Sequence, residues 1–350
     1  MNPATRCSLL GGGVLSAASL LLALASTRAA LGGWLVGFAF WSAAPIGALV
    51  LLAMMHLIPG AWREQLRPSA ERLLLLLPLA AAAVLPLLLD LGAIYGWAGA
   101  VQTGFRAIYL APWTFVLRSI LLFCGAAVFA LLLLRRPAWG VPVAAGGLIT
   151  FVLLDTLVIV DWLCSLDPHF HASGFGLYGL SIQVLIALGL LVLLRLAAGD
   201  AAPHNGVLAA LLLSGLLIWG YLAFMQYLIS WSNNLAEPVA WYARRSEGRW
   251  IAVEYLYVLL QALPAALLLS APVRRSRQWL IRLSLSVLLG KVLEIVWLVL
   301  PEIGTGNLAL LSAAASLAGL GLLSIATLLV GRDALFRLRT HGASRSEAAP

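Results

Sequence analysis

The chain is poor in charge. Of its 350 residues, 10% are Asp, Glu, Lys or Arg, and 62% are hydrophobic. A soluble domain carries about 25% charged residues. A soluble fold of this length cannot hide so much apolar surface, which leaves lipid as the solvent for most of it. Lysine is nearly absent, with Lys291 the sole example among 22 basic residues. The net charge of +8 therefore rests on Arg, mostly in short loops between apolar runs. That pattern belongs to membrane topology and is no nucleic-acid signal. Cysteine is scarce as well. Cys7, Cys124 and Cys164 lie far apart, with no CxxC or CxxCH spacing. Iron–sulfur clusters, c-type haem and structural zinc are all disfavoured. No hydrophilic stretch is long enough for a soluble domain.

What the chain has is apolar runs. A membrane-crossing helix needs about 20 such residues. Ten runs qualify, at about 9–25, 34–59, 73–95, 110–134, 139–164, 175–197, 206–231, 250–271, 279–300 and 307–331. Residues 1–331 thus read as one polytopic transmembrane domain of an all-α protein. The first run follows a single Arg6 and reads as a span rather than a signal peptide. Residues 332–350 are polar and basic, and are expected to form a disordered cytoplasmic tail. Counting Arg by loop assigns fifteen to one side and five to the other. The fifteen mark the cytoplasm, so both termini are expected there. Loops 96–109, 165–174, 232–249 and 301–306 then face outward. Trp231, Trp241, Tyr242 and Trp250 around the longest of these suit an interfacial aromatic belt.

An ionisable side chain near the bilayer centre costs at least ~2.5 kcal/mol, so it needs a partner or a task. Depth follows from about 1.5 Å per helical residue. On that scale Asp90, Arg118, Asp155, Asp161, Gln183, Gln226 and Glu254 fall in the outer half. Lys291 lies near the middle of its helix, with Glu294 one turn further out and able to pair with it. Arg118 cannot lose its proton, and Asp155 and Asp90 are its expected partners. His56, near the cytoplasmic rim, reads as a core or interfacial histidine. Asp167, His169 and His171 are a sparse metal set with no fourth ligand in view, and serve better as quinone-site or proton-relay groups. Haem b needs two axial histidines on facing helices, and His56 alone lies in a span. The polar set is lopsided: it predicts a pocket reached from the outer face rather than a path across the membrane.

Several segments together resemble a known family. The first is Asp161, Trp162, Ser165, Leu166, Asp167 and Pro168, followed by Phe175 and Gly176. The second holds Gln226, Trp231, Asn234, Glu237, Trp241, Tyr242, Gly248 and Trp250. His56, Trp62, Arg67 and Glu71 form a third, and Tyr109, Pro112, Phe115 and Arg118 a fourth. The last is the run from Gly290 to Pro301 with Lys291 and Glu294. In order and over most of the chain, these resemble the NrfD-like, ActF-type membrane subunit of alternative complex III, a quinol:electron acceptor oxidoreductase. The sequence departs from the family pattern at Ala111, at Ala236-Glu237-Pro238 and at the Lys291/Glu294 pair.

The resemblance implies two adjacent four-helix bundles plus peripheral helices in a bacterial inner membrane. It implies partners: a homologous NrfD-like subunit, an iron–sulfur subunit and multihaem cytochrome c subunits. It implies that this chain binds no redox centre of its own and helps quinone binding or proton transfer from the periplasmic side. The candidate relay and quinone residues are Asp90, Arg118, Asp155, Asp161, Asp167, His169, Lys291, Glu294 and His56. The competing classes are a membrane transporter and a structural anchor or assembly subunit.

The charge count makes a direct prediction. Reporter fusions after residue 350 and ahead of residue 1 should both report the cytoplasm, and a fusion within 232–249 the opposite side. A split result for the two termini contradicts it.

Overall fold

A computed structural model describes residues 3–101, 103–135, 140–170, 172–198, 204–232, 236–304 and 306–346, with side chains to residue 331 except Ala236. Among the described residues, ten helices are long and apolar enough to cross a membrane. They are α1 (Pro3–Leu24), α2 (Thr27–Leu57), α3 (Ala61–Leu89), α4 (Pro112–Arg135), α5 (Gly140–Leu166), α6 (Phe175–Ala197), α7 (Asn205–Ser232), α8 (Arg249–Leu267), α9 (Arg277–Ile303) and α10 (Gly306–Gly331). The chain is an all-α, multi-pass membrane protein. Helices alone satisfy their backbone groups within one segment, as the bilayer core demands. The helix that holds α10 continues to Ser346, through most of the tail expected to be disordered, whose side chains lie outside the described residues.

The third span differs most from its apolar run. It begins at Ala61 with an amphipathic stretch, in which Arg67 Nε donates to Glu71 Oε1 at 2.8 Å. A window of hydropathy misses such a stretch because its polar face dilutes the signal. The span is interrupted by a 3₁₀ turn at Leu74–Leu76 and a break at Val84. Pro78 and Pro86 each follow an interruption, where a missing N–H leaves no helical bond unmade. It ends at Leu89, and Asp90 Oδ1 then accepts from Ala93 N at 3.2 Å to start the next turn.

Helix α2 is the central post, buried along most of its length and packed on α3, α5, α6, α9 and α10. Its small residues explain how. Without a hydrophobic force between helices in lipid, close backbone approach and hydrogen bonds supply the attraction. Gly33 and Gly37 lie one turn apart and face Ser312 and Ser316 of α10, also one turn apart. A Cβ on Gly33 would sit 2.4 Å from Ser312 Cβ, and one on Gly37 would sit 2.4 Å from Ser316 Oγ. The serines use that closeness: Ser312 Oγ donates to Ala30 O at 2.8 Å and Ser316 Oγ to Gly33 O at 2.9 Å. Ser19 of α1 joins the seam through Ser312 Oγ at 2.8 Å. Trp41 Nε1 donates across it to Leu317 O at 2.8 Å.

Helices α1 and α10 run antiparallel, with Ser19 against Ser312 and Gly12 against Gly319, so the start of the first span and the finish of the last lie at one end. The opposite end, here the loop end, carries the connections 90–111, 167–174 and 232–248. Arg28 ties this end together, donating to Ile303 O at 3.1 Å and Glu302 O at 2.9 Å.

Gly37→Val should overpack the α2–α10 seam and lower stability by about 1–3 kcal/mol, read as an earlier thermal transition in detergent. An unchanged transition would mean that the helices do not touch there.

Candidate functional site

Buried polar groups gather into separate clusters toward the loop end. The first joins α4 to α5. Arg118 Nε donates to Asp161 Oδ2 at 2.5 Å and Nη2 to Asp161 Oδ1 at 3.0 Å, a two-point pair. Nη2 also donates to Tyr109 O at 2.8 Å, and the guanidinium lies 4.3 Å from the centre of the Tyr109 ring. The partners expected from sequence, Asp155 and Asp90, are therefore replaced by Asp161. Helical side chains lean toward the N-terminus of their helix, and α4 starts at the loop end. The guanidinium thus reaches Asp161, in the last turn of the long helix of α5, and not Asp155, about 9 Å deeper. Asp90 is exposed and caps its turn. Burial, followed by the charge of Asp161, pushes the Tyr109 hydroxyl up to about 12. The backbone here is pinned by Tyr95 OH donating to Trp162 O at 2.9 Å and Trp97 Nε1 donating to Ser165 Oγ at 3.1 Å.

A second cluster is smaller and sits between α5 and α6. Asp155 is fully buried, and Gln183 Nε2 donates to its Oδ1 at 3.2 Å. Asp155 Oδ2 and Gln183 Oε1 have no hydrogen-bond partner. No ion pair reaches Asp155 among the described residues. One shared proton would satisfy both oxygens in a cyclic acid–amide pair.

The third cluster joins α9, α6 and α7. Lys291 Nζ donates to Glu294 Oε2 at 2.7 Å, as their spacing predicts. Glu294 Oε1 accepts from Tyr178 OH at 2.5 Å and from Trp219 Nε1 at 2.8 Å. The ammonium lies 3.7 Å from the centre of the Trp219 ring, a cation–π contact. Both charges are 0% exposed. With Lys291 beside it and three donors on it, this carboxylate is a neutralised support for the rings around it.

Tyr178 and Trp219 turn their other sides to a cavity of about 520 Å³ between α7 and α8. Gln226, Glu254, Tyr257, Gln261 and Trp297 also line it. Glu254, Tyr257 and Gln261 share one face of α8 by their spacing. Leu217, Tyr221 and Phe224 line the cavity on α7 and are themselves exposed, so it opens sideways, where acyl chains would lie. This mix of apolar wall and a few convergent polar groups suits a membrane-soluble ligand.

Over the cavity lies the short helix Ala236–Arg245, which contributes Trp241 and Tyr242. Its anchor is Arg245, 0% exposed and 3.5 Å from the centre of the Trp241 ring. Pro301 has no N–H, so the carbonyl of Trp297 loses its helical donor. Arg245 Nε takes that place at 3.3 Å, Nη2 donates to Leu298 O at 3.0 Å, and Nη1 pairs with Glu302 at 2.8 Å. Burial lowers this arginine to about 10, against the pull of Glu302. Arg244 bridges Asp167 and Glu302. His169 is largely exposed, and its backbone N donates to Asp167 Oδ1 at 2.9 Å. His171 lies outside the described residues. His56 sits at the far end, its Nδ1 2.8 Å from Leu52 O, remote from every other candidate.

Of the residues singled out from sequence, the structure joins Arg118 with Asp161, Lys291 with Glu294, and Asp167 with His169. It leaves Asp155, Asp90 and His56 each apart from the other candidates. The cavity wall, above all Tyr178, Trp219, Tyr257, Gln261 and Trp297, went unnoticed in the sequence. The glutamate–tyrosine–glutamine face of α8 is the one signal that points to it. No protein-family model and no curated protein matches the chain.

Glu294→Gln should leave Lys291 buried without a counter-charge and lower stability by about 3–5 kcal/mol. Adding Lys291→Met should restore most of that. Denaturant titration in detergent reads both, and a double variant no better than the single one contradicts the pairing.

Proposed function

We propose that this chain is a redox-cofactor-free membrane subunit of a quinol-oxidising complex of the alternative complex III type, with both termini in the cytoplasm of a bacterial inner membrane. The observation that carries the reading is the cavity between α7 and α8, which opens toward lipid and is walled by aromatic rings and a few polar groups. A quinol lives in the acyl layer and reaches such a site sideways. Further support comes from the packing. Helices α2–α5 pack among themselves, as do α6–α9; the two groups meet where α2 and α5 pack on α6 and α2 on α9, with α1 and α10 against α2. That grouping fits the two four-helix bundles of the NrfD-like, ActF-type subunits that the chain resembles. Separate segments of that resemblance also meet in space. Arg118 and Tyr109 of one meet Asp161 of another. Trp241 and Tyr242 lie over a cavity whose far wall rests on Lys291 and Glu294.

In this reading the quinol ring enters between α7 and α8. Its oxidation to quinone releases two electrons, which pass to iron–sulfur and haem centres of partner subunits, and two protons, which leave at the loop end. Asp155 and Asp161 are the proton-holding carboxylates, and Arg118 tunes Asp161. A second reading has its own support: Arg118, Lys291 and Arg245 are each neutralised by a carboxylate. Such self-contained pairs also suit a purely structural anchor for the peripheral redox subunits.

Two measurements separate the readings. Mild-detergent purification should bring down haem-staining chains together with a second membrane subunit. In that complex, Asp155→Asn and Arg118→Leu should lower quinol oxidation per haem by about 100-fold without loss of assembly. Full activity in both variants leaves the anchor, and absence of haem-staining partners contradicts the complex itself.

A further inference from the structure

Two residues that line the cavity each hold a buried polar atom with no partner, and the two atoms differ in kind. Gln261 is fully buried and lines the cavity. Its Nε2 donates to Val287 O of α9 at 3.1 Å. That bond fixes which way the amide points, because the reverse would set two acceptors against each other. Oε1 is left as a buried acceptor with nothing to accept from. The berth for this amide is built into α9: a Cβ on Gly290 would lie 2.4 Å from Gln261 Nε2. The second atom is Trp297 Nε1, a donor with no acceptor. Its ring is held against Trp241 at 5.5 Å and Tyr257 at 5.5 Å between centres. Arg245 fixes the backbone of the same residue.

A buried acceptor and a buried donor left open beside one cavity are unusual, since such groups are nearly always paired. Two neighbouring polar groups are already satisfied. Tyr178 and Trp219 both donate to Glu294, and neither is open to a ligand.

We infer that Gln261 and Trp297 are the specificity-determining residues of the cavity, and that they select a ligand whose ring carries a free hydroxyl. The hydroxyl proton satisfies Gln261 Oε1, and a ring oxygen satisfies Trp297 Nε1. A ligand with oxygens but no O–H, such as a quinone or an aryl ether, leaves the Gln261 oxygen buried and unpaired. This inference rests on the cavity being the quinol site. It adds which residues read the ring and which chemical form they accept.

The test uses the full chain in lipid nanodiscs under anaerobic conditions. A naphthoquinol with a short alkyl tail and its di-O-methyl ether are titrated separately, with quenching of the cavity tryptophans as the readout. The quinol should bind at least about 10-fold more tightly than the ether, as expected when one ligand leaves a buried acceptor unpaired. In Gln261→Leu the preference should fall to within about twofold, because neither ligand then meets an acceptor. Gly290→Ala, which keeps the glutamine but takes its berth, should lose the preference in the same way. Trp297→Phe should weaken both ligands together, since both offer an oxygen. Equal binding of quinol and ether to the unaltered chain overturns the inference and leaves the cavity as the ligand site. Absence of quenching by either ligand overturns the cavity reading along with it. A preference that survives in Gln261→Leu assigns the selection to another group and overturns the role given to this residue.

Discussion

The structure is governed by the bilayer's intolerance of polar groups that lack a partner. In water an arginine or an amide can wait for a ligand; in hydrocarbon it must be satisfied by the protein itself. The arginine and lysine side chains that the fold draws inward follow this rule. Arg118 is held by Asp161 and a carbonyl. Lys291 is held by Glu294 and a tryptophan face. Arg245 fills the gap that Pro301 leaves in α9. These solutions tie neighbouring helices and loops together, so the charge pairs are also the joints of the loop-end half. The seam of α2 with α10 is held differently, by close backbone contact at Gly33 and Gly37.

Seven buried side-chain atoms among the described residues stand against that rule, and four of them carry the functional argument. Asp155 with Gln183 leaves two oxygens open, and Gln261 with Trp297 leaves an acceptor and a donor open. In the proposed reading a proton closes the first pair and a ligand with a hydroxyl the second. One lies between α5 and α6, the other beside the cavity of α7 and α8. Oxidation of a quinol needs both kinds of vacancy, one for the ring and one for the proton that leaves it. The self-neutralised pairs around them then serve as rigid walls, with Glu294 supporting Tyr178 and Trp219 where they face the cavity.

Much of this was legible in the sequence because apolar runs and short spacings are one-dimensional signals. The ten spans follow from run length, and the Lys291–Glu294 pair follows from one helical turn. The partner of Arg118 was not legible. It depends on the lean of α4 side chains and on which turn of α5 lies opposite, and neither is written in local spacing. Arg245 counted as a loop charge, yet it is buried because Pro301, fifty-six residues later, frees a carbonyl beside it. The cavity was hidden for a similar reason. Its wall is drawn from α6, α7, α8, α9 and the helix Ala236–Arg245, four rings from α7 and one or two from each of the others, and all look like ordinary membrane aromatics.

The central claim is that a quinol-type ring enters from the lipid between α7 and α8. Photolabelling of membranes with an azido-quinone, followed by peptide mapping, tests it most directly. The account predicts adducts on α7 within 216–227 and on α8 within 254–265, competed by unlabelled quinol. Adducts confined to α4 and α5, or label spread evenly over the lipid-facing helices without competition, would contradict it.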